Sequence, residues 1–448
     1  MKKTIEASLN EDYTHPVRDV LWGHIYMTEE QAMLTESVPF MRLNRILQLG
    51  PVYLVYPGAT HTRASHSIGV YHLGRRLLQN LAQRGASSWL THEGVKSFLA
   101  ACLLHDLGHF PYTHSLKELS LSSHEKLSGI IILNEPIKSL VNTSGADPTL
   151  TAAIVDKEIP SFDEELLFYR KLLSGALDPD KLDYLNRDAR YCGVPYGAQD
   201  VDFIFSRLNP DKKRGADIDS RLIPNVESVL FSKYLMYRTV YWHRNVRAVT
   251  AMVKKALMYG LESGKLSIED MYNLDDYSLF SLLEQRIGGS LVESVQKGQI
   301  YTTAMEISVE SAVCETACGE QNNNKTGKTD INPLKIDIDA IRNVKNRAQF
   351  EENLAQELRE TGESGLSGIR GDDIIIDIPE PISFETGLYV TDEQCNFSES
   401  SSAFKIETVN AFIKTLYTAR IYINQKFKET LKTFFQSYSI LNKENWRI

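Results

Sequence analysis

The run FLAACLLHDLG, residues 98–108, is nearly all apolar, yet it carries an ionisable pair, His105-Asp106. The pattern predicts a buried helix from Glu93 to Leu107, stopped by Gly108 and Pro111. An imidazole and a carboxylate inside such a helix are costly unless other polar groups or a metal satisfy them. The fold must therefore bring partners to this helix from elsewhere in the chain. A buried polar pair and a metal site both answer that demand. His66 and Asp180 supply the same donor types from distant segments, and mixed imidazole and carboxylate donors suit a divalent metal ion of borderline hardness.

Eight of the eleven histidines (His61, His66, His72, His92, His105, His109, His114 and His124) fall between residues 61 and 124. Histidines used for packing have no reason to crowd in this way, whereas a metal or phosphate site does. Arg63 precedes His66 by three residues, which puts both on one helix face. In that arrangement one side chain can ligate a metal while the other grips a phosphate. His109, His114 and His124 follow the His-Asp pair and can act as general acids or phosphate donors near neutral pH. In DPDKLDYLNRDARY, Asp180, Asp183, Tyr184 and Arg187 recur at helical spacing, and a solvated charged face is the alternative reading of that segment.

At 448 residues, with 42% hydrophobic and 24% charged, the chain predicts one large domain with an appended lobe. A net charge of −9 argues against broad nucleic-acid or anionic-membrane binding. No apolar run approaches the roughly 20 residues that span a bilayer. The N-terminal MKKTIEASLNEDYTHP has two lysines and no apolar stretch behind them, so it is not a secretory signal. Five cysteines (Cys102, Cys192, Cys314, Cys318 and Cys395) form no paired framework and read as reduced thiols of a cytoplasmic protein.

The pattern predicts a helix over 29–49 broken at Pro39, an extended PVYLVYPG, a helix from Ser65 to Arg84, and one starting near His124. Further helices are expected near 163–175, 178–190, 199–207 and 227–260, with almost no strand signal, giving an all-α domain over residues 1–290. From 291 to 448 a smaller α+β lobe is expected, with a mobile loop near 318–329 and strands in IDIDAIRN, DDIIIDIP and GLYV. Helices are expected near 340–361 and 407–436, and little core of the lobe's own. Arg342, Lys345 and Arg347 form either a phosphate grip or a solvated helix face.

The stretches HTRASHSIGVYHLG, LLHDLGHFPYTHS, SSHE and LDPDKLDYLNRDARYCG, in that order, resemble the HD-domain phosphohydrolases. With RILQLGPVYLVYPGATHTR before them and YRTVYWHRNVRA after, they look most like the deoxynucleoside triphosphate triphosphohydrolases, the SAM-and-HD-domain enzymes and their bacterial relatives. The resemblance covers about residues 19–260. It implies a mainly α HD-domain core that binds one divalent metal ion (manganese, iron, nickel, zinc or magnesium), with magnesium arriving on the nucleotide. His66, His105, Asp106 and Asp180 match the family's metal ligands. His109, His114 and His124 match its active-site histidines, Arg63 and Lys181 its phosphate contacts, and Arg238 a further one. Gln48 and Asp188 match residues that hold the sugar 3′-hydroxyl; Tyr184 matches a sugar contact, and Tyr241 the ring that closes on C2′.

The implied activity is hydrolysis of a deoxynucleoside triphosphate to the deoxynucleoside and inorganic triphosphate, in a homotetramer that responds to a second nucleotide. The alternatives are another HD-type nucleotidase or phosphodiesterase, and a non-catalytic nucleotide-binding protein. Two positions depart from the family. Lys117 stands where an acid is usual, with Glu118 one place later. Met41 and Asn44 depart from the guanine-nucleotide pocket, in which Glu36 alone keeps its chemical type.

Overall fold

The computed structural model of the protein describes residues 4–119, 121–308, 341–380, 382–384 and 387–431. The chain divides into two units, Met1–Tyr241 with Ser267–Leu279 and Phe384–Thr408, and Trp242–Leu266 with Phe280–Ser383 and Val409–Ile448. The first is mainly α-helical, and the second carries a small antiparallel sheet. The loop expected at 318–329 and most of IDIDAIRN lie outside the described residues.

Three helices frame the site in the first unit. Arg63–Gln83 starts where the Thr62 hydroxyl accepts from the Ser65 amide, and it buries Val70, Leu73, Leu77, Leu78 and Leu81 along one stripe. His92–Leu104 is capped by Thr91 and is buried from Val95 onward except at Lys96. Pro179–Cys192 is capped by Asp178, has proline in its first turn, and ends at Gly193 in the left-handed conformation. Gly69 lets the first and third of these helices meet, because a Cβ there would overlap the Asp183 carboxylate and come within 2.5 Å of Arg187.

Several local expectations are corrected. The His-Asp pair lies just past a helix that ends at Leu104, in a turn where the Leu107 amide donates to the Leu104 carbonyl (3.1 Å) and the His109 amide to the Asp106 carbonyl (3.0 Å). The segment PVYLVYPG is not extended; Gly50–Leu54 is a 3₁₀ helix. Strands absent from the expectation form two hairpins, β1 (His15–Asp19) with β2 (Gly23–Met27), and β3 (Asn209–Asp211) with β4 (Gly215–Asp217). Pro39 does divide the early helix, into Glu29–Glu36 and Val38–Arg42. The long helix expected over 227–260 is instead Ile223–Met236, a π-helical turn Tyr237–Tyr241, and Arg244–Glu262. The break falls where the chain passes from one unit to the other.

In the second unit β5 (Thr302–Ser308) and β6 (Ile374–Asp377) flank β9 (Thr418–Ile423), all antiparallel. The first unit holds the remaining pair, β7 (Tyr389–Val390) with β8 (Cys395–Asn396). The helix expected to run to 436 ends at Leu416, and β9 follows it directly. The second unit has a core after all: Leu354, Ala355 and Leu358 of the helix Val344–Glu360 pack with Ile374, Ile376, Ile421 and Ile423. Charge pairs are buried there. Arg247 grips Asp377 with two hydrogen bonds (2.7 and 2.6 Å), and Lys255 donates to Glu351 (2.6 Å) and to the carbonyls of Gly371 and Ile374. Arg347 is buried, with its guanidinium on the carbonyls of Ile341 and Arg342, so the trio read as either a phosphate grip or a solvated helix face does not share one surface.

Candidate metal centre

The turn after Leu104 aims His105 and Asp106 because it is held from two sides. The Ser128 hydroxyl donates to the His105 carbonyl (2.6 Å) and accepts from the Gly108 amide (2.8 Å). The buried Arg42 donates to the carbonyls of Leu107 (2.5 Å) and His109 (2.6 Å). Gly108 is required by close approach, since a Cβ would overlap the His124 carbonyl.

His66, His105 and Asp106, all buried, each offer one ligand atom, and these atoms lie within 4.8 Å of one another. Asp180 completes the group: its Oδ1 is 2.9 Å from His66 Nε2 and 3.8 Å from His105 Nε2. The donors come from three separate elements, as the wide sequence spacing demands. They form a divalent-metal-binding site. Its tautomers suit that use. His105 Nδ1–H donates to the Cys102 carbonyl (3.0 Å), which leaves Nε2 as a lone pair, and that buried Nε2 has no hydrogen-bond partner among the described residues. His66 Nδ1–H donates to Asp183 Oδ2 (2.9 Å), which likewise turns its Nε2 inward.

The electrostatics favour a cation here. Burial works against charge on His66, yet the carboxylates of Asp180 and Asp183 hold its pKa up at about 10. Burial would raise the Asp106 carboxyl, but His109, His105 and Arg63 together keep it well below the usual carboxylate range. Asp180 is depressed as well, against its burial, through His66 and His105. A metal ion and the His66 proton compete for the same negative field.

Behind the ligands lies a network that sequence reasoning missed. Asp183 accepts from Trp22 Nε1–H (2.6 Å) and from both Nε–H and Nη2–H of Arg187 (2.8 and 2.9 Å); Arg187 also donates to Asp19 (2.8 Å). Asp183 and Arg187 are fully buried, so this part of the helix is not a solvated charged face. The spacing of four between them was the available signal. Nothing local marks Trp22 or Asp19, which reach the site from the β1–β2 turn.

Arg63 donates to Asp106 Oδ2 (2.9 Å), while its buried Nε has no hydrogen-bond partner among the described residues. His109 Nε2 is 3.2 Å from Asp106 Oδ1, and the ring stacks on His124 with centroids 3.9 Å apart; His114 is 4.9 Å from His109 and 5.1 Å from His124. Burial lowers the pKa of both His109 and His124, the latter to about 4. Asp188 accepts from the Tyr241 hydroxyl (2.6 Å) at one oxygen and lies 2.8 Å from His61 Nε2 at the other. Tyr237 packs edge-on against Tyr241, with centroids 5.0 Å apart. The Gln48 Oε1 is buried without a hydrogen-bond partner among the described residues. Lys181 turns its ammonium to Asp178 (2.8 Å) and the Gly175 carbonyl (3.0 Å), and Arg238 donates to the Tyr234 hydroxyl (2.9 Å). Tyr184 stands one turn after Asp180 on the same helix.

Residues 63–173 match the HD domain, and residues 214–340 match the HD associated region. An uncharacterized protein of Methanocaldococcus jannaschii is 30% identical over 289 residues, 64% of this chain and 58% of that protein. An uncharacterized protein of Bacillus subtilis is 33% identical, over 59% of this chain and 62% of its own length. The chain thus spans about three-fifths of the length of these relatives. Among solved structures, a hypothetical protein from Aquifex aeolicus shares the fold with a TM-score of 0.67 at 24% identity, covering 94% of this chain and 99% of that one. A phosphohydrolase from Bacteroides thetaiotaomicron gives 0.67 at 21% identity, with 92% and 100% covered. The fold is that of an HD-domain phosphohydrolase. It is distantly related to the SAMHD1-like proteins: the deoxynucleoside triphosphate triphosphohydrolase SAMHD1 of Danio rerio is 28% identical over 47% of this chain and 33% of its own length. The HD match stops before Asp180, which the tertiary structure nonetheless attaches to it through His66.

Proposed function

We propose that the protein hydrolyses deoxynucleoside triphosphates to deoxynucleoside and inorganic triphosphate. One observation carries the reading beyond a generic phosphohydrolase: the buried Asp188 carboxylate, clasped by Tyr241 and His61, on the same helix as the metal donor Asp180. A polar group so placed serves a sugar hydroxyl, and a nucleotidase or phosphodiesterase that ignores the sugar has no need of it. His66, His105, Asp106 and Asp180 would hold the divalent metal ion. When bound, it polarises the α-phosphate and lowers the pKa of an attacking water.

The chain's own residues supply the rest. The Nε–H of Arg63, which has no hydrogen-bond partner among the described residues, is available to a phosphate oxygen, beside the metal donor Asp106. His114 or His124 delivers a proton to the leaving 5′-oxygen, and His109 donates to the α-phosphate. Lys181 meets the phosphate chain by exchanging its contact with Asp178. Tyr241 fills the space of a 2′-hydroxyl, held there by Asp188. We further propose a homotetramer in the cytoplasm, with a second nucleotide as activator. No helix among the described residues is long and apolar enough to cross a membrane.

The test is product analysis with the four dNTPs and four rNTPs, separating triphosphate, pyrophosphate and phosphate. Triphosphate should appear from dNTPs. The rNTPs should be slower by about 10-fold or more, because a clashing or unsatisfied hydroxyl costs on the order of 1–3 kcal/mol. Tyr241→Ala should narrow the gap. Equal turnover of ATP and dATP, or turnover of monophosphates or phosphodiesters alone, would overturn the proposal.

A further inference from the structure

His61 immediately precedes the Thr62 cap of the Arg63–Gln83 helix, and its side chain is fully buried. Its Nε2 lies 2.8 Å from Asp188 Oδ1. A carboxylate in contact with a tyrosine hydroxyl and an imidazole acts as acceptor, so Nε2 carries the proton and donates it. The ring plane is fixed by Tyr191, whose ring lies 4.6 Å away at 30°. The Tyr241 hydroxyl takes the other Asp188 oxygen (2.6 Å). With one donor on each oxygen the carboxylate cannot rotate, and each oxygen keeps lone-pair capacity for a further donor. The backbone of His61 does a second job: its carbonyl accepts from the backbone N–H of Gln48 at 3.0 Å, beside the antiparallel bridge of Leu47 with Thr62. Asp188, which the proposed function gives to a sugar hydroxyl, and the backbone of Gln48, the other residue that matches a 3′-hydroxyl contact, therefore both meet His61.

We propose that His61 is a positioning residue for 3′-hydroxyl recognition, holding Asp188 through Nε2–H and the backbone of Gln48 through its carbonyl. This rests on the reading of Gln48 and Asp188 as the sugar contacts. A core histidine with no part in recognition would be needed for folding alone, and its loss would lower activity on every nucleotide alike. A positioning residue sets a ratio instead. Hydrogen bonds to a charged group carry about 10- to 100-fold in discrimination, so wild-type kcat/KM for dATP should exceed that for 2′,3′-dideoxyadenosine triphosphate by that factor.

The experiment measures this ratio for the metal-loaded wild type, His61→Phe and His61→Gln, with metal content and melting temperature recorded alongside. His61→Phe keeps the ring against Tyr191 and removes the donor, so the ratio should fall to within about threefold of unity, mainly through loss on dATP. His61→Gln restores a donor near the Nε2 position and should recover part of the ratio. Equal loss on both nucleotides in His61→Phe, or an unchanged ratio, overturns the proposal and leaves the sugar reading standing. A wild-type ratio near one, or no turnover of any nucleotide, overturns the sugar reading and the proposal with it. Should His61→Phe fail to fold, nitrogen-15 NMR of the wild type decides: Nδ1 without its proton and Nε2 protonated supports the assignment, and the opposite tautomer overturns it.

Discussion

Replacing Asp183 by asparagine separates what holds the metal from what holds the fold. Asp183 is fully buried and accepts from His66 Nδ1 (2.9 Å), Trp22 Nε1 (2.6 Å) and two nitrogens of Arg187. An amide keeps the shape but presents one donor in place of an acceptor. If its NH₂ faces His66, the imidazole must carry its proton on Nε2, where the metal needs a lone pair. Loss of such an outer contact weakens metal affinity about 10- to 100-fold. The variant also leaves Arg187 with Asp19 as its charged partner, a separate cost of about 3–5 kcal/mol when a buried pair is broken. Urea unfolding with and without metal isolates the first effect. At a metal concentration 100 times the wild-type Kd, bound metal stabilises the wild type by about 2.7 kcal/mol. In Asp183→Asn the same addition should give only about 0.4–1.4 kcal/mol, from the same relation. A chelator competition giving a Kd within about threefold of wild type would refute the reasoning, because it would mean that the imidazole tautomer does not govern the site.

His105→Ala and Asp106→Ala should each abolish metal retention while the protein stays folded; elemental analysis showing normal metal content in both would remove them from the ligand set. In the second unit, burial pushes the Asp377 carboxyl up, but Arg247 and Lys254 outweigh it and hold the carboxyl below its ordinary value. Its stabilising contribution is therefore complete above the unfolded value, about pH 4, and is lost as pH falls through the folded one. Asp377→Asn should be less stable at pH 7 by about 3–5 kcal/mol, because Arg247 loses the charged partner it grips with two hydrogen bonds, and its stability should fall less steeply below pH 4; parallel acid limbs in the two proteins would exclude Asp377 as a source of the acid sensitivity. Sedimentation should show a homotetramer whose rate responds to a second nucleotide, and a fully active monomer with strictly hyperbolic kinetics in every dNTP would contradict that.

The chemistry of the centre was legible in the sequence because donor types are written residue by residue. His66, His105, Asp106 and Asp180 are scattered along the chain, yet an ionisable pair beside so apolar a helix asks for either polar partners or a metal, and these residue types suit both. Helical periodicity likewise reports local burial, which is why the helices Arg63–Gln83 and Pro179–Cys192 stand close to where the pattern puts them. What tertiary structure alone decided is how those donors are held. Trp22 and Asp183 are 161 positions apart, and Arg42 meets the carbonyl of Leu107 across 65. Pairings at such range leave no periodic trace, since each partner reads locally as an ordinary polar residue.

The same limit explains the misread elements. The hairpins β1–β2 and β3–β4 are too short to show alternation, and β9 was hidden behind an amphipathic helix ending at Leu416. The π-helical turn that carries Tyr241 sits within what reads locally as one continuous helix. There the Tyr56 hydroxyl donates to the Thr239 carbonyl (2.9 Å) and the Tyr196 hydroxyl to the Thr239 side chain (2.5 Å). Local spacing specifies which residues share a face; the partners that bend a helix and fix a tautomer come from chain segments that only folding brings near.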